Sequence, residues 1–453
     1  MIRKILVLFA MICLSANTSL YARDWFVRAG SDGDGSKEKP FKDPWQALEK
    51  AKSEDVVHVA KGRYFGRLEI GKWEMKDEDI TLLGGYDETF TQRDPWTHLT
   101  ILGPSSKSKD RGNYGNIINI TLDSIVDGFV FDGREFQFYD SSRDSGYPPL
   151  RVPSSGTLVF VSGTLRNSVI LNSGGQALSG SGNHLILENN LIMGGSSYMV
   201  QLRSNKATIK GNTLLFSTGN RGNDGDCMYV ANREATTIVD NVFAFCQGAG
   251  MRIPGVRQDY QVDNNVFWMN EQSAMTVGIS GSGNVELNGD NMSEIGDMGF
   301  GSAKGNAVRD IGSTALDKGW MERYINAKAE NKYSDSKIKP EDWSQLRTQL
   351  NLPAPGGPKG VGMAYSIENA LLLLSSSVPQ GAHRIKIEPK QNTGTTNPDK
   401  PAAATPEQQA PQQAGRKSEA PASDSGTSGQ AICDGVKNPI EKLKCIAKAL
   451  GPQ

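Results

Sequence analysis

Between Asn167 and Thr276 the chain repeats itself. Asparagine recurs at Asn167, Asn190, Asn212, Asn241 and Asn265, with spacings of 23, 22, 29 and 24. A second series, Ala177, Met199, Met228, Met251 and Met275, runs in step with it. A third, Ile186, Ile209, Ile238 and Val262, sits just ahead of the asparagines. Self-similarity at periods of 20–50 residues marks architectures in which each unit buries its apolar side against the next. Each unit here carries three short runs of strand-forming residues separated by turn residues. In the unit 183–202 the runs are 185–187, 191–193 and 198–200, with Gly194 and Gly195 turning the chain. Three strands in about 23 residues make one turn of a triangular coil, and strands stacked coil on coil lie about 4.8 Å apart. The pattern therefore predicts an all-β, three-sheet solenoid, a parallel β-helix.

The asparagine series has a physical reason. A side-chain amide both donates and accepts, so stacked amides bond to the copies above and below and to turn backbone. Asparagine also tolerates left-handed backbone at a corner. The methionines read as core filler, since a flexible thioether fits irregular interior gaps. The 50 glycines of the chain suit its many tight corners.

The flanks are organised differently. Arg3 and Lys4 precede an apolar run over 5–14 and small residues follow, the pattern of a secretory signal over 1–22. That run is too short to span a membrane, and no other long apolar run exists. A formal net charge of −1 gives no support for nucleic-acid binding. Export is the setting in which an even number of cysteines favours disulfides. Cys433 and Cys445 are isolated together near the end and read as one pair. Cys227 and Cys246 are left open between a bridge across a turn and two buried thiols. A short helix after Asp43, with Pro44 in its first position, reads as an N-terminal cap. The parallel β-helix is expected to fill 23–300, with its regular coils starting at 117–131. Helices expected at 316–329, 340–350 and 367–374 would form a helical C-terminal cap within 301–387. Residues 388–430 have the composition of a disordered tether. The tail 431–453 reads as a small basic helix bearing Cys433 and Cys445, suited to docking on an anionic cell-envelope component.

The stretch 30–70 resembles the entry segment of secreted right-handed β-helix proteins of the pectate-lyase-like superfamily. It carries a Gly/Asp run at Gly33–Gly35, Pro40-Phe41, a helix over 47–51, a valine-rich strand over 56–59 and Gly62-x-Tyr64. The segment LLGGYDETFTQRDP, residues 82–95, is similar to one common in bacterial surface proteins of that kind. The resemblance covers 24–290 and implies a right-handed fold. It speaks weakly to activity, because the superfamily hosts lyases, hydrolases, epimerases and adhesins, and fold does not fix function.

Coil lengths point to a site. Extra residues follow the strand near 129–131, within 134–156, and again within 217–226. Both insertions leave the same corner, and insertions in solenoids gather on one face, often the binding face. If the methionines point inward, Leu178, Val200, Tyr229, Arg252 and Thr276 form an outward row. Tyr229, Arg221, Arg203, Tyr147 and Arg143 then line a groove suited to an acidic polysaccharide: sugar rings stack on tyrosine and arginine binds carboxylates. The resemblance adds an alternative, a Ca²⁺-assisted lyase working by β-elimination. In it Asn223, Asp224 and Asp226 would hold Ca²⁺ and Arg252 would be the base. No complete catalytic motif of the superfamily is present, and calcium wants more oxygens than this stretch offers. Enzymatic activity is thus left open, and a structural or adhesive surface solenoid is the third reading. The expected location is periplasmic, cell-surface or extracellular.

Overall fold

The computed structural model describes residues 22–67, 73–75, 79–103, 116–133, 157–173, 175–196, 198–218, 225–311 and 379–384. All lie in one compact unit, Met1–Ile387; the second unit, Glu388–Gln453, lies outside the described residues. So do the expected signal, the helices expected at 316–329, 340–350 and 367–374, and the Cys433–Cys445 pair.

From Asp24 to Val308 the chain winds through three nine-stranded sheets. Sheet A runs from Asp24–Val27 to Tyr260–Asp263, and sheet B from Gly62–Phe65 to Ala307–Val308. Sheet C runs from Trp73–Glu74 to Ser273–Ile279 and ends on Gly283–Leu287. Each regular coil gives one strand to A, then B, then C, and pairs in parallel with the next coil. Val169–Leu171, for example, lies between Val130–Asp132 and Leu191–Ser196. Among the strand pairs of the described residues only the last hairpin, Ser273–Ile279 with Gly283–Leu287, is antiparallel. Parallel strands linked through a crossover turn right-handed. The molecule is therefore a right-handed parallel β-helix.

The interior is filled by columns of like residues. Sheet A contributes Leu165, Leu187, Ile209, Ile238 and Val262, and sheet B contributes Ile170, Ile192, Leu214, Phe243 and Phe267. Phe243 stacks on Phe267 with ring centroids 5.2 Å apart. On sheet B the alternate residues Val169, Leu191, Val242 and Val266 are buried as well. A parallel sheet covered on both faces reads as unbroken apolar runs, and 191–193 and 242–244 do so.

The expected helix forms at Pro44–Lys50. Gln46 Oε1 accepts from the Asp43 backbone amide at 3.1 Å, which satisfies an otherwise orphaned donor at the helix start. The helix packs against Asp24–Val27, Val56–Ala60 and Trp73–Glu74, strands at the N-terminal end of sheets A and C.

The asparagine ladder exists, with its register corrected. Asn190 donates through its backbone and side-chain amides to Asn212 Oδ1, both at 3.0 Å. Asn212 does the same to Asn241, Asn241 to Asn265, and Asn265 to Asn306. Each amide nitrogen also reaches a carbonyl one coil back, as Asn241 does to Ile209 O at 3.0 Å. Asn167 is not a rung. Arg166 pairs with Glu188, so Asn167 is level with Asn189 and Ser168 holds the rung below Asn190. Likewise Asp127 pairs with Arg166 rather than standing in the ladder. The residue before each rung takes the left-handed backbone: Asn167, Asn189, Gly211, Asp240, Asn264 and Gly305 have φ of 49°, 55°, 62°, 58°, 55° and 69°. The other two series shift in the same way. Leu187, not Ile186, pairs with Ile209, and Val200, not Met199, pairs with Met228. Met228, Met251 and Met275 do stack.

Candidate functional site on the outer face of sheet C

The corrected register resets the outward row. Phe160, Ser179, Gln201, Tyr229, Arg252 and Thr276 are vertical neighbours. Leu178 and Val200, expected in this row, are each one position away and fully buried. Phe160 is 40% exposed, while Thr276 is buried against Ser273 and closes the row.

The row carries a stacked aromatic pair. Tyr229 stacks on Tyr198 with centroids 4.6 Å apart and planes 30° from parallel. The guanidinium of Arg203, an exposed residue, lies 5.9 Å from the Tyr229 ring centre. One coil below, Gln201 Oε1 accepts from Gln176 Nε2 at 3.2 Å, and Gln176 Oε1 accepts from Thr157 at 3.1 Å. Rings, amides and one guanidinium thus share one face. Sequence counting found Tyr229 and Arg203. It missed Tyr198, Gln176 and Gln201, because the one-residue slip put Val200 where Gln201 stands.

Above the platform an ion pair is built into the sheet. Arg252 Nε donates to Asp226 Oδ2 at 2.5 Å and Nη2 donates to Oδ1 at 3.2 Å. Asp226 is fully buried and also accepts from the Ala249 amide at 2.7 Å. Arg252 Nη2 reaches Gln272 Oε1 at 3.3 Å, and Gln272 Nε2 reaches Glu286 at 2.7 Å. Geometry of this kind holds the guanidinium in place and charged. It orders the strand ends and leaves Arg252 poorly placed to remove a proton.

The strands flanking the two expected insertions pass from sheet B to sheet C. Residues 134–156 follow Val130–Asp132, and of the expected 217–226 segment Ser217 and Thr218 belong to the strand Thr213–Thr218. Residues 134–156 and 219–224 lie outside the described residues. The two strands stand three coils apart in sheet B, about 14 Å. Arg143, Tyr147, Arg221, Asn223 and Asp224 lie outside the described residues. At the base of the second segment Cys227 is bonded to Cys246 of the next coil, with Cα atoms 5.6 Å apart. The bridge across a turn is thus the arrangement this pair adopts.

Residues 137–297 match a family model described as "Periplasmic copper-binding protein (NosD)". No curated protein matches the chain, and no solved structure does.

The described residues do not compose a copper site. Copper favours thiolate, thioether and imidazole ligands, but no group of three or more His, Cys, Asp or Glu stands together among the described residues. Cys227 and Cys246 are spent on each other. His58 is tied between Asp24 at 2.7 Å and Tyr86 at 2.9 Å. Met228, Met251 and Met275 are sealed in the interior. Nor does Asp226 suit calcium, since both its oxygens already accept from Arg252. No helix among the described residues is long and apolar enough to cross a membrane.

Proposed function

We propose that this protein is an exported β-helix that binds a polysaccharide along the outer face of sheet C, beside the corner where 134–156 and 219–224 emerge. Export is supported by the charged, then apolar, then small-residue pattern over 3–22 and by the periplasmic description of the matching family. The observation that carries glycan binding is the Tyr198–Tyr229 stack flanked by Arg203 and the Gln176–Gln201 amide pair. Sugar rings offer flat C–H faces to aromatic rings and hydroxyls to amides. A preference for acidic polymers rests on Arg203, with Arg143 and Arg221 in the neighbouring segments, because Asp226 cancels the charge of Arg252.

Binding without cleavage is the reading we favour over calcium-assisted β-elimination. That chemistry needs a base at the sugar and a metal on its carboxylate. Arg252 keeps its protons and donates them as hydrogen bonds to both oxygens of Asp226, which leaves neither oxygen to spare for a metal. Asn223 and Asp224 would have to hold the metal without it. The test is direct. Incubate the protein with pectate and alginate, with and without Ca²⁺, and follow both calorimetric binding and the absorbance of unsaturated uronates. Saturable binding without new absorbance is expected, with affinity falling about tenfold in Tyr229→Ala, the scale of one aromatic contact. Absorbance that disappears in Arg252→Ala would establish the lyase instead. Absence of both signals would favour an adhesive solenoid that contacts protein.

A further inference from the structure

On the opposite side of sheet B from the glycan platform, the corner between sheets A and B is occupied by the hexapeptide Pro379–Arg384. It runs along the stack rather than around it and touches a new coil at nearly every residue. His383 N donates to Asn189 Oδ1 at 2.7 Å, and Asn189 Nδ2 returns a bond to His383 O at 3.0 Å. Ala382 N donates to Thr213 Oγ1 at 2.9 Å, and Gly381 N to Asp240 O at 2.7 Å. Gln380 Nε2 reaches Asn264 Oδ1 at 2.9 Å, while Arg309 Nη2 donates to Gln380 Oε1 at 2.8 Å.

The spacing explains the use of a long side chain at one end. From the coil of Asn189 to that of Asn264 is three coil steps, about 14 Å. Three residues of extended chain cover only about 10 Å. Backbone amides serve the first three coils, and the glutamine side chain spans the remainder.

The corner is suited to this. Asn189, Gly211, Asp240 and Asn264 all take positive φ, which turns their polar groups outward in a column one coil apart. Gly211 presents no side chain, so the carbonyl of Gly381 lies 3.5 Å from where its Cβ would be. Gly381 itself has φ of +87°, and a Cβ there would meet the Thr213 hydroxyl and, at 2.9 Å, the Val242 side chain. The corner therefore reads three features: backbone amides, a glycine, and a glutamine one position before it.

We propose that the A–B corner is a peptide-binding rail, with specificity for an extended Gln-Gly-small-x segment, which this chain occupies with its own Pro379–Arg384. The rail is separate from the sheet C platform, so it stands or falls independently of glycan binding. A site that grips mainly backbone amides binds any copy of the segment, whether or not it belongs to the same chain, once its own is released.

The test uses the full-length protein. Hydrogen exchange should find the 381–383 amides protected, and Gly381→Val should speed their exchange at least tenfold while the β-sheet circular dichroism stays unchanged. A fluorescent peptide of the sequence Pro379–Arg384 should then bind saturably to the Gly381→Val chain and not to wild type, whose rail is filled. A peptide carrying valine in place of the glycine should not bind. If the Gly381→Val chain fails to fold, Asn189→Gly serves: glycine holds the same backbone at position 211, and the side-chain bonds lost are those to His383 and one to Asn167 Oδ1 on the coil before. Exchange at His383 should rise about tenfold. Unchanged exchange at 381–383 in these variants, or a freed rail that ignores the peptide, would overturn the proposal.

Discussion

A buried amide in this molecule does more work than its size suggests. Asn241 Oδ1 accepts from the backbone and side chain of Asn212, and Asn241 Nδ2 donates to Asn265 Oδ1, Ile209 O and Val239 O. Truncation to alanine leaves several buried groups without partners, each costing about 1–3 kcal/mol. Asn241→Ala should lower unfolding stability by about 3–5 kcal/mol in urea titrations. Asn241→Ser should cost less, because Ser168 already serves as a rung at the end of the ladder. A second residue-scale effect is acid-sensitive. Asp87 is partly buried, which raises its pKa, but donors from Thr89, Gln92 and Thr91 outweigh this and hold it well below the usual carboxylate range. A carboxyl depressed in the folded state contributes stability above its unfolded value of about 4, and that contribution is lost as pH falls through the folded value. The urea-midpoint gap between wild type and Asp87→Asn should therefore be full at neutral pH and shrink steadily below about pH 4.

At the scale of elements, the strands were legible and their alignment was not. Apolar runs such as 185–187 and 242–244 mark strands by composition. Counting asparagines cannot choose between Asn189 and Asn190, adjacent in one coil, when the coil before offers Asn167 followed by Ser168. One is a left-handed corner and the other a rung, and backbone conformation alone separates them. Since side chains alternate, a slip of one residue exchanges inside for outside. That is why Leu178 and Val200 replaced Ser179 and Gln201 in the expected groove. The bridge between Cys227 and Cys246 fixes two neighbouring coils beside the platform. Losing a cross-link of this loop length costs about 3 kcal/mol. Cys227→Ala/Cys246→Ala should show that loss in denaturant unfolding. Because both cysteines are buried, reduction of the native protein should be slow and should accelerate sharply in denaturant.

The whole molecule is a stack in which each coil chiefly touches its neighbours, so stability should vary along the axis. The end strands have coil neighbours on one side only, and two of them, Trp73–Glu74 and Ala307–Val308, have just 2 residues each. Amide exchange should be slowest between 185 and 268 and faster toward both ends. Uniform protection along the axis would instead indicate one all-or-none unit.

The repeat by itself determined the architecture, because a strand–turn pattern recurring every two dozen residues can bury its apolar side only by stacking on itself. Composition likewise marked out the short N-terminal helix and the asparagine ladder. Only the tertiary structure decided which residue stands above which. It showed that Arg252 is committed to Asp226, that Tyr198 completes the platform with Tyr229, and that a segment near 380 lies on corners built almost two hundred residues earlier. Those contacts depend on turn lengths and backbone handedness, which spacing averages away.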